Sequence, residues 1–294
     1  MRTILLLLVV FGCFLSSVDT SASPVTNPPP KYPGFTLPNT QLRTLPRAAG
    51  GPGYLLYIAL PASYHANPLR KYPVLYATDG YYRFTGLYGL YDQLVKDRVV
   101  PEFIIVGIGY AGENQDYRFL RRRDLGPAPV EGTPGSGHAA EFLGSLEQEI
   151  IPFVENNYRT DPTHRVLSGI SFGGTFSLFT MLTKPELFSG YIAVSPDVSW
   201  NPDWMFEYEA AFAKSGRKIN ARLFMTTAEN EGPKYIASIR RFDERLKLHA
   251  YSGLEYRFRF IDDERHFSTF AEATNRGLRF VFEPLAPETG PTRD

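Results

Sequence analysis

Ser171 stands in the segment Leu167-Ser168-Gly169-Ile170-Ser171-Phe172-Gly173-Gly174, which contains the pattern Gly-x-Ser-x-Gly. The pattern follows a short run, Arg165–Gly169, that reads as a strand, and it opens a run that reads as a helix. A serine on a sharp strand-to-helix turn needs small neighbours so that strand and helix can approach. The first N–H groups of the helix are then free to meet negative charge on a substrate oxygen. This placement is a nucleophile elbow, and its chemistry is acyl transfer. A glycine-rich turn with an idle serine is the alternative, and the strand–turn–helix context argues against it.

A serine hydroxyl needs a base to take its proton. In chain order the partners of an elbow serine are an acid and then a histidine. Two histidines follow Ser171. His249 ends an amphipathic stretch, where a histidine is ordinarily a surface or capping residue. His266 lies between a strand and a helix in Ile261-Asp-Asp-Glu-Arg-His266-Phe267, on a loop that can reach the serine. His266 is therefore the expected base. The acid is expected after the strand Arg222–Thr227, in Ala228-Glu229-Asn230-Glu231-Gly232. Glu231, three residues beyond a small residue at the strand end, is the first candidate and Glu229 the second. The acid would orient the imidazole and stabilise its charged form. Asp262 and Asp263 lie too close to His266 in sequence to be favoured.

An oxyanion hole needs two backbone donors. The Phe172 N–H, directly after the nucleophile, is one. The other is expected in the loop Asp79-Gly80-Tyr81-Tyr82, with Tyr81 ahead of Gly80.

These groups must be held by a scaffold, and the pattern supplies one. Apolar runs bounded by turn residues recur at Gln41–Leu45, Tyr54–Leu60, Val74–Thr78, Phe103–Ile108, Arg165–Gly169, Gly190–Ser195, Arg222–Thr227 and Tyr256–Ile261. The middle runs are continuously apolar, as strands covered on both faces are. Helical periodicity lies between them at Ala139–Asn156, Gly174–Lys184, Tyr235–His249 and Thr269–Phe280, with Ser268 or Thr269 as a cap for the last. Alternating elements predict an α/β fold, a mostly parallel central sheet of about eight strands with helices on both faces. The first two strands have no helix between them and should pair antiparallel. The Gly- and Pro-rich stretch Gly126–Gly137 reads as a surface loop near the site.

Several segments fall together in one order: Tyr72-Pro-Val-Leu-Tyr-Ala-Thr-Asp79-Gly80, Val106-Gly-Ile-Gly-Tyr110, Arg121-Arg-Arg-Asp124-Leu125, Gly169-Ile-Ser-Phe-Gly-Gly174, Ala193-Val-Ser-Pro196 and His266-Phe267. From about residue 40 to 283 the chain resembles the α/β-hydrolase esterase family of esterase D-type S-formylglutathione hydrolases, siderophore (enterochelin-type) esterases, and feruloyl or acetylxylan esterases. It is most similar to the periplasmic siderophore esterase-like and uncharacterised bacterial hydrolase branch. The resemblance implies the α/β-hydrolase fold and a serine esterase acting on small-molecule carboxylic esters without metal or organic cofactor. Two departures stand out. Ala228 replaces the usual glycine before the acid, and Asp124-Leu-Gly-Pro replaces a common Thr-Pro ending. Because some siderophore esterases work with a Ser–His pair alone, the role of Glu231 is less firmly implied than those of Ser171 and His266. The resemblance also implies that an arginine in the cluster Arg118, Arg121, Arg122 and Arg123, here taken as Arg123, contacts an anionic or catecholate group. A solvated basic turn is the other reading. Trp200, in the aromatic stretch Asp197–Phe206 after another strand end, is the candidate for lining an acyl or aryl pocket, or else packs a local cap.

Charge excludes another class. Lys plus Arg number 31 and Asp plus Glu number 31, so no global field draws in a nucleic acid. Met1-Arg2-Thr3, the apolar run from Ile4, and the small residues before Ser23 have the layout of a signal peptide spanning 1–22. Export to the periplasm or medium is expected, without a stable membrane span. Cys13, the one cysteine, would be removed with that peptide; its use as a lipid anchor is the lesser alternative. Residues 23–38 read as a Pro-rich linker, 39–284 as the hydrolase domain and 285–294 as a tail. A different hydrolase of the same fold, or an exported binding protein that has kept the fold without catalysis, are the rival functions.

Overall fold

The computed structural model describes residues 35–287 except 49, 51 and 202; the signal-peptide expectation, Cys13 and most of the linker lie outside the described residues. Eight strands form one sheet in the order β1-β2-β4-β3-β5-β6-β7-β8. They are β1 (Thr40–Leu45), β2 (Tyr54–Ala59), β3 (Tyr72–Ala77), β4 (Ile104–Tyr110), β5 (Thr160–Ile170), β6 (Gly190–Val194), β7 (Ala221–Ala228) and β8 (Leu254–Ile261). β1 pairs antiparallel with β2, and β2 antiparallel with β4; all other pairs are parallel. Burial follows position in the sheet. Every residue of β4 and β6 is buried, whereas β8, at the edge, alternates between half-buried and exposed until the buried Ile261 at its end. That is the difference between strands covered on two faces and a strand with one free flank.

The helices are α1 (Gly80–Lys96), α2 (Tyr117–Leu125), α3 (Ala139–Ser145), α4 (Ile151–Asn157), α5 (Phe172–Thr183), α6 (Trp204–Lys214), α7 (Pro233–His249) and α8 (Phe270–Val281). The single helix expected over Ala139–Asn156 is α3 and α4 joined by one π-helical turn, Leu146–Ile150. Pro152 lacks an N–H for the regular ladder at that place, and a widened turn absorbs the loss. Three helices were not foreseen. α1 takes up most of what reads as a loop after β3, α2 contains the basic cluster, and α6 contains the aromatic stretch after Trp200. Neither Ser268 nor Thr269 caps α8: Thr269 is the N-cap residue but its side chain makes no cap bond. The Ser268 hydroxyl is occupied instead with Arg265 N and Glu264.

The parallel strands end on one side of the sheet, and the chain turns there into the helices that carry the candidate site. Two close contacts weld these turns. A Cβ at Gly80 would lie 2.6 Å from the Gly107 carbonyl carbon, so α1 can start against β4 only with glycine there. A Cβ at Gly173 would lie 2.2 Å from Thr78 Oγ1, so the start of α5 abuts the end of β3.

Candidate active site

Ser171 sits at the carboxyl end of β5 as the residue before α5, with φ 57° and ψ −122°. This backbone is costly for a residue with a Cβ and persists only where the surroundings enforce it. They do so here through the backbone. Ser171 N donates to Val194 O at 3.0 Å, and Ser171 O accepts from Thr175 N at 2.9 Å. A Cβ at Gly169 would meet the Gly173 carbonyl carbon at 2.2 Å, which explains the glycines on both sides of the serine.

The loops after β7 and β8 bring in the other two groups. His266 Nδ1 and Glu231 Oε1 are 2.6 Å apart. The second carboxylate oxygen, Oε2, accepts from Ala228 N at 2.9 Å, Thr227 Oγ1 at 2.8 Å and Ser195 Oγ at 3.2 Å. Burial alone would raise the Glu231 carboxyl, but the bonds from His266, the Ala228 amide and Thr227 outweigh it and hold the group below the usual carboxylate range. All the partners of Oε2 are neutral, so the charge of the carboxylate is left for the imidazole. Glu229, the second candidate for the acid, faces another way. Its Oε2 accepts from Asp263 N at 2.7 Å, while Glu229 N and Asn230 N donate to Ile261 O and Glu264 O. It fastens the two loops together rather than touching the imidazole.

Phe172 and Tyr81 stand in the first turns of α5 and α1, where backbone N–H groups have no acceptor within the helix. Thr78 N donates to Ser168 O at 3.0 Å, tying the ends of β3 and β5, so the two first turns start side by side. Asp79 precedes α1 in the left-handed conformation, φ 59°, and does not cap the helix. Its carboxylate instead forms a two-point pair with Arg121 of α2, whose guanidinium lies 5.8 Å from the centre of the Phe172 ring.

Tyr235 and Asp197 belong to the site and were not foreseen. Tyr235 donates to Ser195 O at 2.6 Å and its ring meets the His266 ring edge-on at 5.5 Å. Burial pushes the phenol well above its ordinary range, and Tyr235 lines the same cavity as Ser171 and His266. A direct Ser171–His266 hydrogen bond is not formed among the described residues, which is common before substrate enters. Asp197, whose carboxyl burial raises above the usual range, lines the cavity of about 690 Å³ bounded by Ser171, Glu231, Tyr235 and His266. The signal for Asp197 was available in Ala193-Val-Ser-Pro196, which ends a strand beside β5; Tyr235 carried none.

The two expected binding residues lie elsewhere. Arg123 makes a two-point pair with Asp124, at 2.8 and 2.9 Å, which also receives Arg47. It is absent from the lining of the cavities at Ser171; Arg118 and Arg121 of the same helix are present. On a helix, residues two apart point to nearly opposite sides, and three apart to the same side. Trp200 packs edge-on against the Phe172 ring, centres 4.5 Å apart, and lines neither cavity.

Residues 52–267 match the family model described as "Putative esterase". The chain belongs to this esterase family of α/β-hydrolases. The esterase is 28% identical over 275 residues to "Ferri-bacillibactin esterase BesA" of Bacillus subtilis, covering 86% of this chain and 93% of that protein. It is 26% identical over 281 residues to the "Siderophore triacetylfusarinine C esterase" of Aspergillus fumigatus, covering 84% and 94%. Among solved structures, the BES protein from Bacillus cereus superposes with a TM-score of 0.78 at 25% identity, covering 87% of the esterase and 99% of that chain. Siderophore hydrolase EstB from Aspergillus nidulans, at 22% identity, covers 88% and 99% with a TM-score of 0.76 and shows the shared fold. No helix among the described residues of the esterase is long and apolar enough to cross a membrane.

Proposed function

We propose that this esterase is exported and cleaves siderophore-type esters by a Ser171–His266–Glu231 acyl-enzyme mechanism. The observation that carries the reading is the buried Glu231 carboxylate on His266 Nδ1, beside a serine in the strained elbow conformation. His266 takes the Ser171 proton through its other ring nitrogen as Oγ bonds to the ester carbonyl carbon. Negative charge on the carbonyl oxygen is met by the N–H groups of Phe172 and Tyr81, each such donor contributing about 3 kcal/mol. Glu231 stabilises the imidazolium without taking its proton. The imidazolium then gives its proton to the leaving alkoxide, and water enters and repeats the two steps to release the acid. The siderophore class is supported by the names of relatives that cover nearly all of their own length. Export is supported by residues 1–22.

A phosphonate probe for active-site serines tests the nucleophile: Ser171 is expected to carry the label, and an unlabelled Ser171 beside a labelled control hydrolase sinks the enzyme mechanism. A panel of catecholate trilactones, hydroxamate esters, feruloyl esters and S-formylglutathione tests the class. A preference for the last two would remove the siderophore reading. Recovery of a chain beginning at Ser23 from the periplasm or medium would support export, and an intact chain in the cytoplasm would refute it.

A further inference from the structure

The space around Ser171 divides into two cavities of different charge. One, described above, has Asp197 and Glu231 in its wall with one arginine, Arg265. The other, of about 500 Å³, lies across Ser171 and His266 and has Arg83, Arg118 and Arg121 in its wall, with Asp79 as its only acid. Arg121 is committed to Asp79 at two points, so those charges offset one another. Arg83 and Arg118 form no ion pair among the described residues. Arg118 is exposed, where water satisfies it. Arg83 is only half-exposed: its Nε is buried and has no hydrogen-bond partner, and its guanidinium lies 4.7 Å from the Phe270 ring centre and 5.9 Å from that of Phe267. Two aromatic rings fix the position of the guanidinium plane and enclose Nε, while no protein group among the described residues accepts from the terminal nitrogens. A carboxylate in the cavity, with two oxygens at the spacing of the fork, would accept from those terminal nitrogens.

We propose that Arg83, assisted by Arg118, is an anion-reading residue of the esterase, binding a carboxylate carried on the arm of the ester that enters this cavity. This rests on the reading of Ser171 as nucleophile.

The test compares the 4-nitrophenyl monoester of glutaric acid with its methyl-capped neutral analogue. The wild type is expected to favour the anionic ester in kcat/KM, with the preference fading as salt rises. Arg83→Met should lower the anionic-to-neutral ratio about tenfold or more, chiefly through KM, and Arg83→Lys should recover part of it. Arg279→Gln, on a different wall of the molecule, should leave the ratio unchanged. A loss of both rates in equal proportion would make Arg83 a clip for Phe267 and Phe270 and overturn the proposal, as would an unchanged ratio. Glutarate binding to Ser171→Ala, measured by calorimetry with and without Arg83→Met, reads the same site without turnover. About tenfold weaker binding in the double variant supports it, and equal binding refutes it. If neither ester is hydrolysed but this binding difference holds, the nucleophile assignment has failed and Arg83 has not.

Discussion

The esterase contains two histidine–glutamate pairs of nearly equal geometry. His266 Nδ1 is 2.6 Å from Glu231, and His249 Nδ1 is 2.5 Å from Glu209. Both carboxylates are almost wholly buried, at 2% and 0% exposure. In both, burial would raise the carboxyl and hydrogen bonds hold it below its usual range. They differ in what else touches the acid. Glu231 meets an amide and two hydroxyls besides the histidine, all neutral. Glu209 meets the guanidinium of Arg245 at 2.7 Å and the Tyr251 hydroxyl. Arg245 therefore neutralises Glu209 within the α6–α7 contact, while the Glu231 charge remains available to an imidazolium. On the proposed mechanism a histidine on a glutamate is a fastening in one place and a base in the other, and the difference lies in the third and fourth partners of the carboxylate.

The sharpest way to break this contrast is to remove the groups proposed to react. Ser171→Ala and His266→Ala should each lower kcat/KM on a short aryl ester by about ten-thousandfold or more, whereas His249→Ala should leave it within about twofold. If His249→Ala proves as damaging, the two pairs have been assigned the wrong way round. Next in size is Glu231→Gln. Both Glu231 oxygens face donors, so the amide must set its NH2 against one of them, and a loss of about a hundredfold in kcat is expected. If Glu229→Gln is the worse change, the acid has been misassigned. Glu209→Gln should cost about 2 kcal/mol of stability by denaturant unfolding with little change in rate, because it leaves Arg245 without its counter-charge. The smallest effect is shared. A carboxylate held below its unfolded pKa stabilises the fold above that value, and the contribution is lost as pH falls through the folded pKa. Stability should therefore decline below about pH 4.3, and the decline should be shallower in Glu209→Gln and in Glu231→Gln.

The sheet was legible because its strands are apolar runs between turn residues, and the elbow because glycine spacing there is dictated by contact. All eight strands and four of the helical stretches fall close to where periodicity places them. α1 was hidden for a physical reason: Asp79 gives its carboxylate to Arg121 instead of capping the helix, and Gly86, Gly89 and the aromatics of the first turns are weak helix formers. α2 did carry a signal, since Asp116 accepts from Phe119 N at 2.9 Å as an N-cap residue does. Without the helix, Arg118 to Arg123 looked like one basic patch; with it, the cluster splits into a face toward the cavity and a face toward Asp124. Trp200 was foreseen as lining a pocket and instead braces Phe172, because aromatic composition does not say which side of a loop a ring takes. Arg83 and Tyr235 were invisible, each brought in by a helix whose rotation only packing fixes.

Gly169 and Gly173 touch across the elbow while the Ser171 hydroxyl takes no part in that contact, and the bonds that hold the turn are made by the main-chain atoms of Ser171. The turn that shapes the pocket is thus independent of the hydroxyl proposed to react in it. Ser171→Ala, which retains the Cβ, is expected to leave behind a silent receptor that holds an ester intact. Such a protein could serve as bait to fish the natural ester out of a culture extract by mass spectrometry, turning the loss of reactivity into a means of learning what the esterase meets.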